Sequence, residues 1–185
     1  MPTTPSTVRK LSRWIRYAAI LFVMAVIAIY LATWMLPQLP DGHHAVLMLH
    51  LAGLPANALS TMDFGDRALV ASVSIPYLAT FIWAFHRLTR MLRNFEAGRF
   101  FERETVSDLR AFSGLLLVAK FLSLAAMHAR VWLLVHLLGP GKKVVAMLNL
   151  SSDDLAILLL CALFFAIAGM MEEGRRLAEE NREFV

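Results

Sequence analysis

Four long apolar runs divide this chain, and the Lys and Arg residues between them gather on alternate connections. Few folds are open to such a chain. Backbone N–H and C=O groups inside hydrocarbon must be satisfied by the chain itself, which makes helices the natural spanning element. The first run, Tyr17 to Leu36, carries no charge over 20 residues. At 1.5 Å per residue it is roughly 30 Å long, the thickness of a bilayer's hydrocarbon core. Pro37 and Pro40 end it, because proline cannot continue a helix. The second run, Ala68 to Phe85, contains Pro76, which predicts a kinked helix whose freed carbonyl is satisfied by neighbours. The third, Ala111 to Leu138, is longer than a bilayer requires and holds Lys120, His128, Arg130 and His136 before Gly139-Pro140-Gly141 stops it. The fourth, Leu155 to Met171, follows Ser151-Ser152-Asp153-Asp154, side chains suited to an N-cap and an acidic first turn.

At 185 residues, 58% of them hydrophobic, and a mean hydropathy of +0.61, the chain is more apolar than a soluble domain needs to be. Four spans with short connections account for this. Residues 1–185 therefore read as a single all-α integral membrane domain, a four-transmembrane-helix bundle with spans at about 15–36, 68–88, 111–138 and 154–172 and a tail over 173–185. The formal charge of +4 does not point to direct nucleic-acid binding, because the basic residues flank the spans. Cys161 is the only cysteine, which excludes an intramolecular disulfide and a Cys-based metal cluster. The basic N-terminal stretch and the run after it resemble a signal peptide, but the run is too long and no small-x-small site follows it, so it reads as a retained span.

Orientation comes from the charges. Arg9, Lys10, Arg13 and Arg16 precede the first run; Arg87, Arg90, Arg93, Arg99, Arg103 and Arg110 occupy the second connection; Arg175, Arg176 and Arg182 lie in the tail. The opposite side holds only Arg67, Lys142 and Lys143. The positive-inside rule then predicts an N-in, C-in topology with both termini and the second connection in the cytoplasm. Trp14 and Trp83 fall near the inner interface, and Trp34 and Trp132 near the outer one, as an aromatic belt requires. Two short apolar segments in the outer connections, Ala45 to Leu51 and Val144 to Leu150, are consistent with strands of a small extracytoplasmic β element. A short interfacial helix in the first of them is the open alternative.

Ionisable groups in a span suggest function by default. Lys120 lies roughly 14 Å into the third run. Its side chain leans toward the helix N-terminus and can snorkel to the inner face; a buried partner or ligand is the other reading. Arg130 lies near the outer end and leans back toward the bilayer, so it is predicted to pair with Asp63, Asp66, Asp153 or Asp154; a ligand-binding role is the other reading. His128 and His136 stand about 80° apart around the helix and do not address one haem or metal. His43, His44 and His50 share an outer connection, where adjacent histidines are a weak metal signal. No G-x-S-x-G, H-E-x-x-H or Gly-rich phosphate loop occurs, and the five-residue spacing of Ser123 and His128 puts them on different faces. No catalytic residue, metal ligand or cofactor is expected.

The inner connection is the most patterned polar segment. Leu88, Met91, Leu92 and Phe95 form an i, i+3, i+4, i+7 stripe among Arg87, Arg90 and Arg93. This predicts that the second helix continues as an amphipathic segment, with Gly98 at its C-cap and Phe100-Phe101 in the headgroup region. Nearby anionic lipid would add about 1 kcal/mol per basic residue. Thr105-Val106-Ser107-Asp108 reads as a capping-box start for the third helix. In the tail, Glu172 with Arg176, Arg175 with Glu179 and Arg176 with Glu180 are i, i+4 pairs of opposite sign, and Phe184-Val185 is an apolar end.

The stretch Asn94-Phe95-Glu96-Ala97-Gly98-Arg99-Phe100-Phe101, followed by Asp108-Leu109-Arg110 and Gly114, resembles the inner-loop signature of the bacterial membrane-protein family called domain of unknown function 2975. Ser151-Ser152-Asp153-Asp154-Leu155, Glu172-Glu173-Gly174, Glu179-Glu180-Asn181 and Phe184-Val185 match its C-terminal pattern, and the likeness is expected over nearly the whole chain. The resemblance implies a bacterial inner-membrane location and no established reaction. Because such genes often neighbour small helix-turn-helix regulators, it also implies a membrane partner that restrains a cytosolic transcription factor. On that reading Arg90, Arg93, Arg99, Phe100 and Arg103 of the inner connection, with Glu172, Glu173, Glu179 and Glu180 of the tail, hold the partner. The alternative is a small transporter or channel component in which Lys120 and Arg130 line a polar path, a role compatible with a homo-oligomer.

Overall fold

The computed structural model describes residues 5–35, 53–54, 58–99, 102–138 and 152–183, and every regular element among them is helical. In chain order these are α1 (Pro5–Met35), α2 (Ala58–Thr61), α3 (Phe64–Ser72), α4 (Ile75–Glu96), α5 (Arg103–Leu138) and α6 (Ser152–Glu183). By length and composition α1, α5 and α6 can each cross a membrane, and α3 with α4 makes a fourth crossing if the bent pair is one span. The segments read as outer strands, 45–51 and 144–150, lie outside the described residues.

Each apolar run forms a helix, and the helices run on past the apolar stretch. α1 opens at Pro5, a residue suited to a first helical turn. α5 opens at Arg103, well before the apolar run at Ala111, with the Thr105 and Val106 amides donating to the Glu102 carbonyl at 2.9 and 3.2 Å. The predicted kink at Pro76 takes the form of a break. The chain bends by 49° between α3 and α4, and Pro76 falls in the first turn of α4, where no helical bond needs its missing N–H. α4 ends as expected at Gly98, whose φ of 79° is open to glycine at little cost. The Gly98 amide donates to Phe95 O at 3.0 Å and the Arg99 amide to Asn94 O at 2.9 Å, the two bonds of a Schellman cap.

The described chain forms two compact units, one of Met1–Met24, Thr80–Val118 and Ser151–Val185, the other of Ala25–Ala79 and Ala119–Leu150. In the first, Met91 and Leu92 of α4, Val106 and Leu109 of α5 and Ala168 of α6 form a buried core. A ladder of rings, Phe22 to Phe85 to Phe112 to Phe164 with centroids 5.6, 5.9 and 5.5 Å apart, ties α1, α4, α5 and α6 together. Such pairs contribute about 0.5–1.5 kcal/mol each beyond the area they bury. In the second unit Trp34, Met62, Val70, Val131, Leu134 and Val135 form the core.

Helix α1 is attached along one narrow stripe. Ser12, Ala19 and Trp34 are buried, and Arg16, Val23, Val26 and Tyr30 half-buried, at alternating spacings of mostly three and four residues. Its other faces are open: Trp14, Leu21 and Ile29 are 75%, 71% and 67% exposed. Leu159 and Met170 of α6 are as open, at 72% and 66%. Apolar surface on this scale marks an interaction with lipid or protein rather than a water-facing side.

Candidate binding face at the turn between α4 and α5

Arg87 and Arg90 stand three residues apart on α4 and therefore share a face. Both reach the carboxylate of Asp108 on α5, which is fully buried. Arg90 donates as a fork, Nε to Oδ2 at 2.6 Å and Nη2 to Oδ1 at 2.7 Å, while Arg87 Nη1 donates to Oδ1 at 3.1 Å. A carboxylate removed from water is tolerable only when its oxygens are filled by charged donors in good geometry, and here three N–H groups fill them. The arginine side chains remain 28% and 47% exposed, so their outer edges stay hydrated.

Asp108 is thus not the end of a capping box. Its helix has already begun at Arg103, and Thr105, the expected N-cap, donates its hydroxyl to the Arg99 carbonyl at 2.9 Å. Local spacing could not reveal the pairing, because the partners lie 18 and 21 residues upstream. The available signal was the i, i+3 arginine pair on α4 facing an acid just after a short connection.

The turn is braced from within. Arg99 donates from Nη2 to Asn94 Oδ1 at 3.1 Å and from Nη1 to Glu102 Oε2 at 3.4 Å. Asn94 is buried, and its Nδ2 has no hydrogen-bond partner. Arg16 of α1, whose guanidinium lies 5.3 Å from the Tyr17 ring centroid, approaches Glu96 at 3.4 Å, a pair the sequence did not suggest. Arg93 and Arg103 are exposed, and Phe100 lies outside the described residues.

In the tail, Arg175 bridges Glu172 (2.7 Å) and Glu179, and Arg176 bridges Glu173 (2.6 Å) and Glu180 (3.5 Å). The expected pairs of Arg175 with Glu179 and Arg176 with Glu180 form, whereas Glu172 turns to Arg175 instead of Arg176. Arg103 and Arg110 of α5 are electrostatic neighbours of Glu172. Charges of both signs from the start of α5 and from the tail therefore act on one another.

The two charged residues of the third apolar run belong to the other unit. Lys120 is half-buried. Arg130 is also half-buried; its Nε donates to Ala126 O at 3.2 Å, and its electrostatic neighbours are the phenols of Tyr30 and Tyr77. Of the acids expected to pair with Arg130, Asp153 has its side chain outside the described residues. His128 Nδ1 lies 2.8 Å from Leu124 O, and His136 stacks on Trp132 with ring centroids 5.5 Å apart. Among the described residues no three His, Cys, Asp or Glu side chains come together to hold a metal; His43, His44 and His50 fall outside them.

No curated protein and no solved structure matches the chain. A family model described as "Protein of unknown function (DUF2975)" matches residues 55–185. The match takes in Arg87, Arg90, Asp108, the Gly98 turn and the whole tail. It is shorter than the motif resemblance suggested, since α1 lies ahead of it. With well over half its length matched, the chain belongs to the DUF2975 family.

Proposed function

We propose a non-catalytic, four-span membrane protein, N-in and C-in, that holds a cytosolic protein against the inner face of the bacterial cytoplasmic membrane. The exposed apolar faces of α1 and α6 support the bilayer as one partner, because lipid covers such surface without cost. The basic residues around the α4–α5 turn, the N-terminus and the tail support the orientation. The single observation that carries the binding role is the internally braced turn. Asp108 is locked by two arginines while Arg93 and Arg103 stay exposed, Arg103 with Glu172 of the tail as an electrostatic neighbour. A rigid face of alternating sign selects a complementary protein surface more by register than by raw affinity. The family resemblance supports a helix-turn-helix transcriptional regulator as that protein.

Fractionation of cells co-expressing a tagged regulator of that class with the intact chain tests this. The regulator is expected in the membrane fraction with the intact chain, and in the soluble fraction with a chain truncated after Met171 or carrying Arg93→Glu and Arg103→Glu. A regulator that stays soluble beside the intact chain defeats the reading. The small-transporter reading breaks elsewhere: there Lys120→Leu and Arg130→Leu abolish solute movement and truncation after Met171 does not.

A further inference from the structure

We propose that the end of α1 around Arg13 binds an anionic phospholipid, with Arg9, Lys10 and Arg13 on its phosphate and Ile20, Leu21 and Met24 along its acyl chains. The proposal rests on the bilayer part of the reading above and is independent of the cytosolic partner. α1 begins at Pro5, well before its apolar run at Tyr17, so one helix carries the basic and the apolar residues in fixed register. At about 100° per residue, Arg9, Lys10, Arg13, Trp14 and Tyr17 fall within an arc of about 140°, and all five are exposed. The same arc continues through Ile20, Leu21 and Met24, which are exposed as well. The contact stripe runs elsewhere. At this end it consists of Ser12, Arg16 and Ala19, and Arg16, being on it, turns to Glu96 at 3.4 Å.

The order along the axis matches a phospholipid. Arg9, Lys10 and Arg13 span about 6 Å of the helix, and Leu21 lies about 12 Å beyond Arg13. Helical side chains lean toward the N-terminus, so the three cations reach away from the apolar run and into the headgroup layer. The Trp14 and Tyr17 rings come next, at the level where aromatic residues with a polar edge settle. The open apolar surface follows. Guanidinium and ammonium donors match phosphate oxygens, and each basic residue near the surface adds its own attraction for anionic lipid. Charge complementarity selects a net negative headgroup over a zwitterionic one, whose own cation the same three residues repel. The apolar continuation selects a lipid over a soluble anion or an acidic protein face, which would cover the cations and leave Trp14 and Leu21 open.

The test reconstitutes the full chain in phosphatidylcholine vesicles. A rising share of the lipid is replaced by one brominated near the glycerol end of its chains, under either a phosphatidylglycerol or a phosphatidylcholine headgroup. Bromine quenches indole fluorescence at contact range, and the difference between the native chain and Trp14→Phe isolates Trp14. In low salt, half-quenching is expected at a share of brominated phosphatidylglycerol about fivefold or more below that of brominated phosphatidylcholine. Concentrated salt narrows the gap, and Arg9→Gln, Lys10→Gln and Arg13→Gln together close it. Arg13→Gln alone is expected to narrow it about twofold, and it carries the test if the triple variant does not insert. The proposal fails if the two lipids quench Trp14 equally or if the variants keep the full gap. Equal quenching leaves the bilayer reading of α1 standing, and a Trp14 response to soluble polyglutamate in that case assigns the face to an acidic protein. Quenching by neither lipid overturns the bilayer reading of α1 together with the proposal.

Discussion

The unit containing the α4–α5 turn and the unit containing the α3–α4 break each draw a charge out of water, and they treat it in opposite ways. At the turn, Asp108 is completely enclosed and completely satisfied by two arginines whose outer edges remain wet. At the break, Arg130 has a backbone carbonyl and two phenols for company, and Ser74 has a buried hydroxyl with no partner. A saturated ionic cluster is a rigid fitting, because removing any member strands the rest. A buried hydroxyl without a partner is a local cost that its surroundings have to outweigh. The contrast separates a part held together by its charges from a part held together by its packing.

The sharpest way to break the comparison is Asp108→Ala. It strands two guanidinium groups at a core boundary and is expected to cost about 2–3 kcal/mol, less than a fully sealed pair because both arginines reach solvent. A fall in apparent Tm in detergent would show it, and an unchanged Tm would falsify the locked-turn picture. Next come the two arginines. Arg90→Gln, which loses the fork, should lower Tm more than Arg87→Gln, which loses a single bond, an order that equal losses in the same assay would contradict. Gly98→Ala forces a side chain into left-handed backbone at φ 79° and should cost about 1 kcal/mol; a neutral result would mean the turn relaxes freely. Glu179→Gln touches one ion pair whose glutamate is 60% exposed, and a change above about 0.5 kcal/mol would be unexpected. Smallest of all, Ser74→Ala should leave stability within about 0.5 kcal/mol or raise it, because its buried hydroxyl has no hydrogen-bond partner to lose. A large loss there would erase the difference between the two units.

The helices were legible where periodicity and length speak for themselves. The apolar runs became α1, α3 with α4, α5 and α6, and Gly98 capped α4 because only glycine meets that backbone cheaply. The tail pairs were legible because i, i+4 neighbours on a helix meet whatever surrounds them. What escaped was long-range. Asp108 looked like a cap because Thr105 stood three residues before it, and only the packing of α4 against α5 sends it to Arg87 and Arg90 instead. Helix ends lie beyond the apolar runs. Apolar runs mark hydrocarbon thickness, while α1 and α5 continue through charged residues that remain good helix formers.

Helix α1, with its single stripe of contact and open remaining faces, has a consequence for how copies of the molecule meet. In a bilayer, a helix that moves sideways trades one apolar neighbour for another and exposes nothing to water, so separation is opposed mainly by close packing and a few polar links. The stripe supplies few of those: the Arg16 contact to Glu96, the Phe22 rings and the Tyr30 hydroxyl. α1 is therefore the element that two neighbouring molecules could exchange with the fewest polar contacts broken.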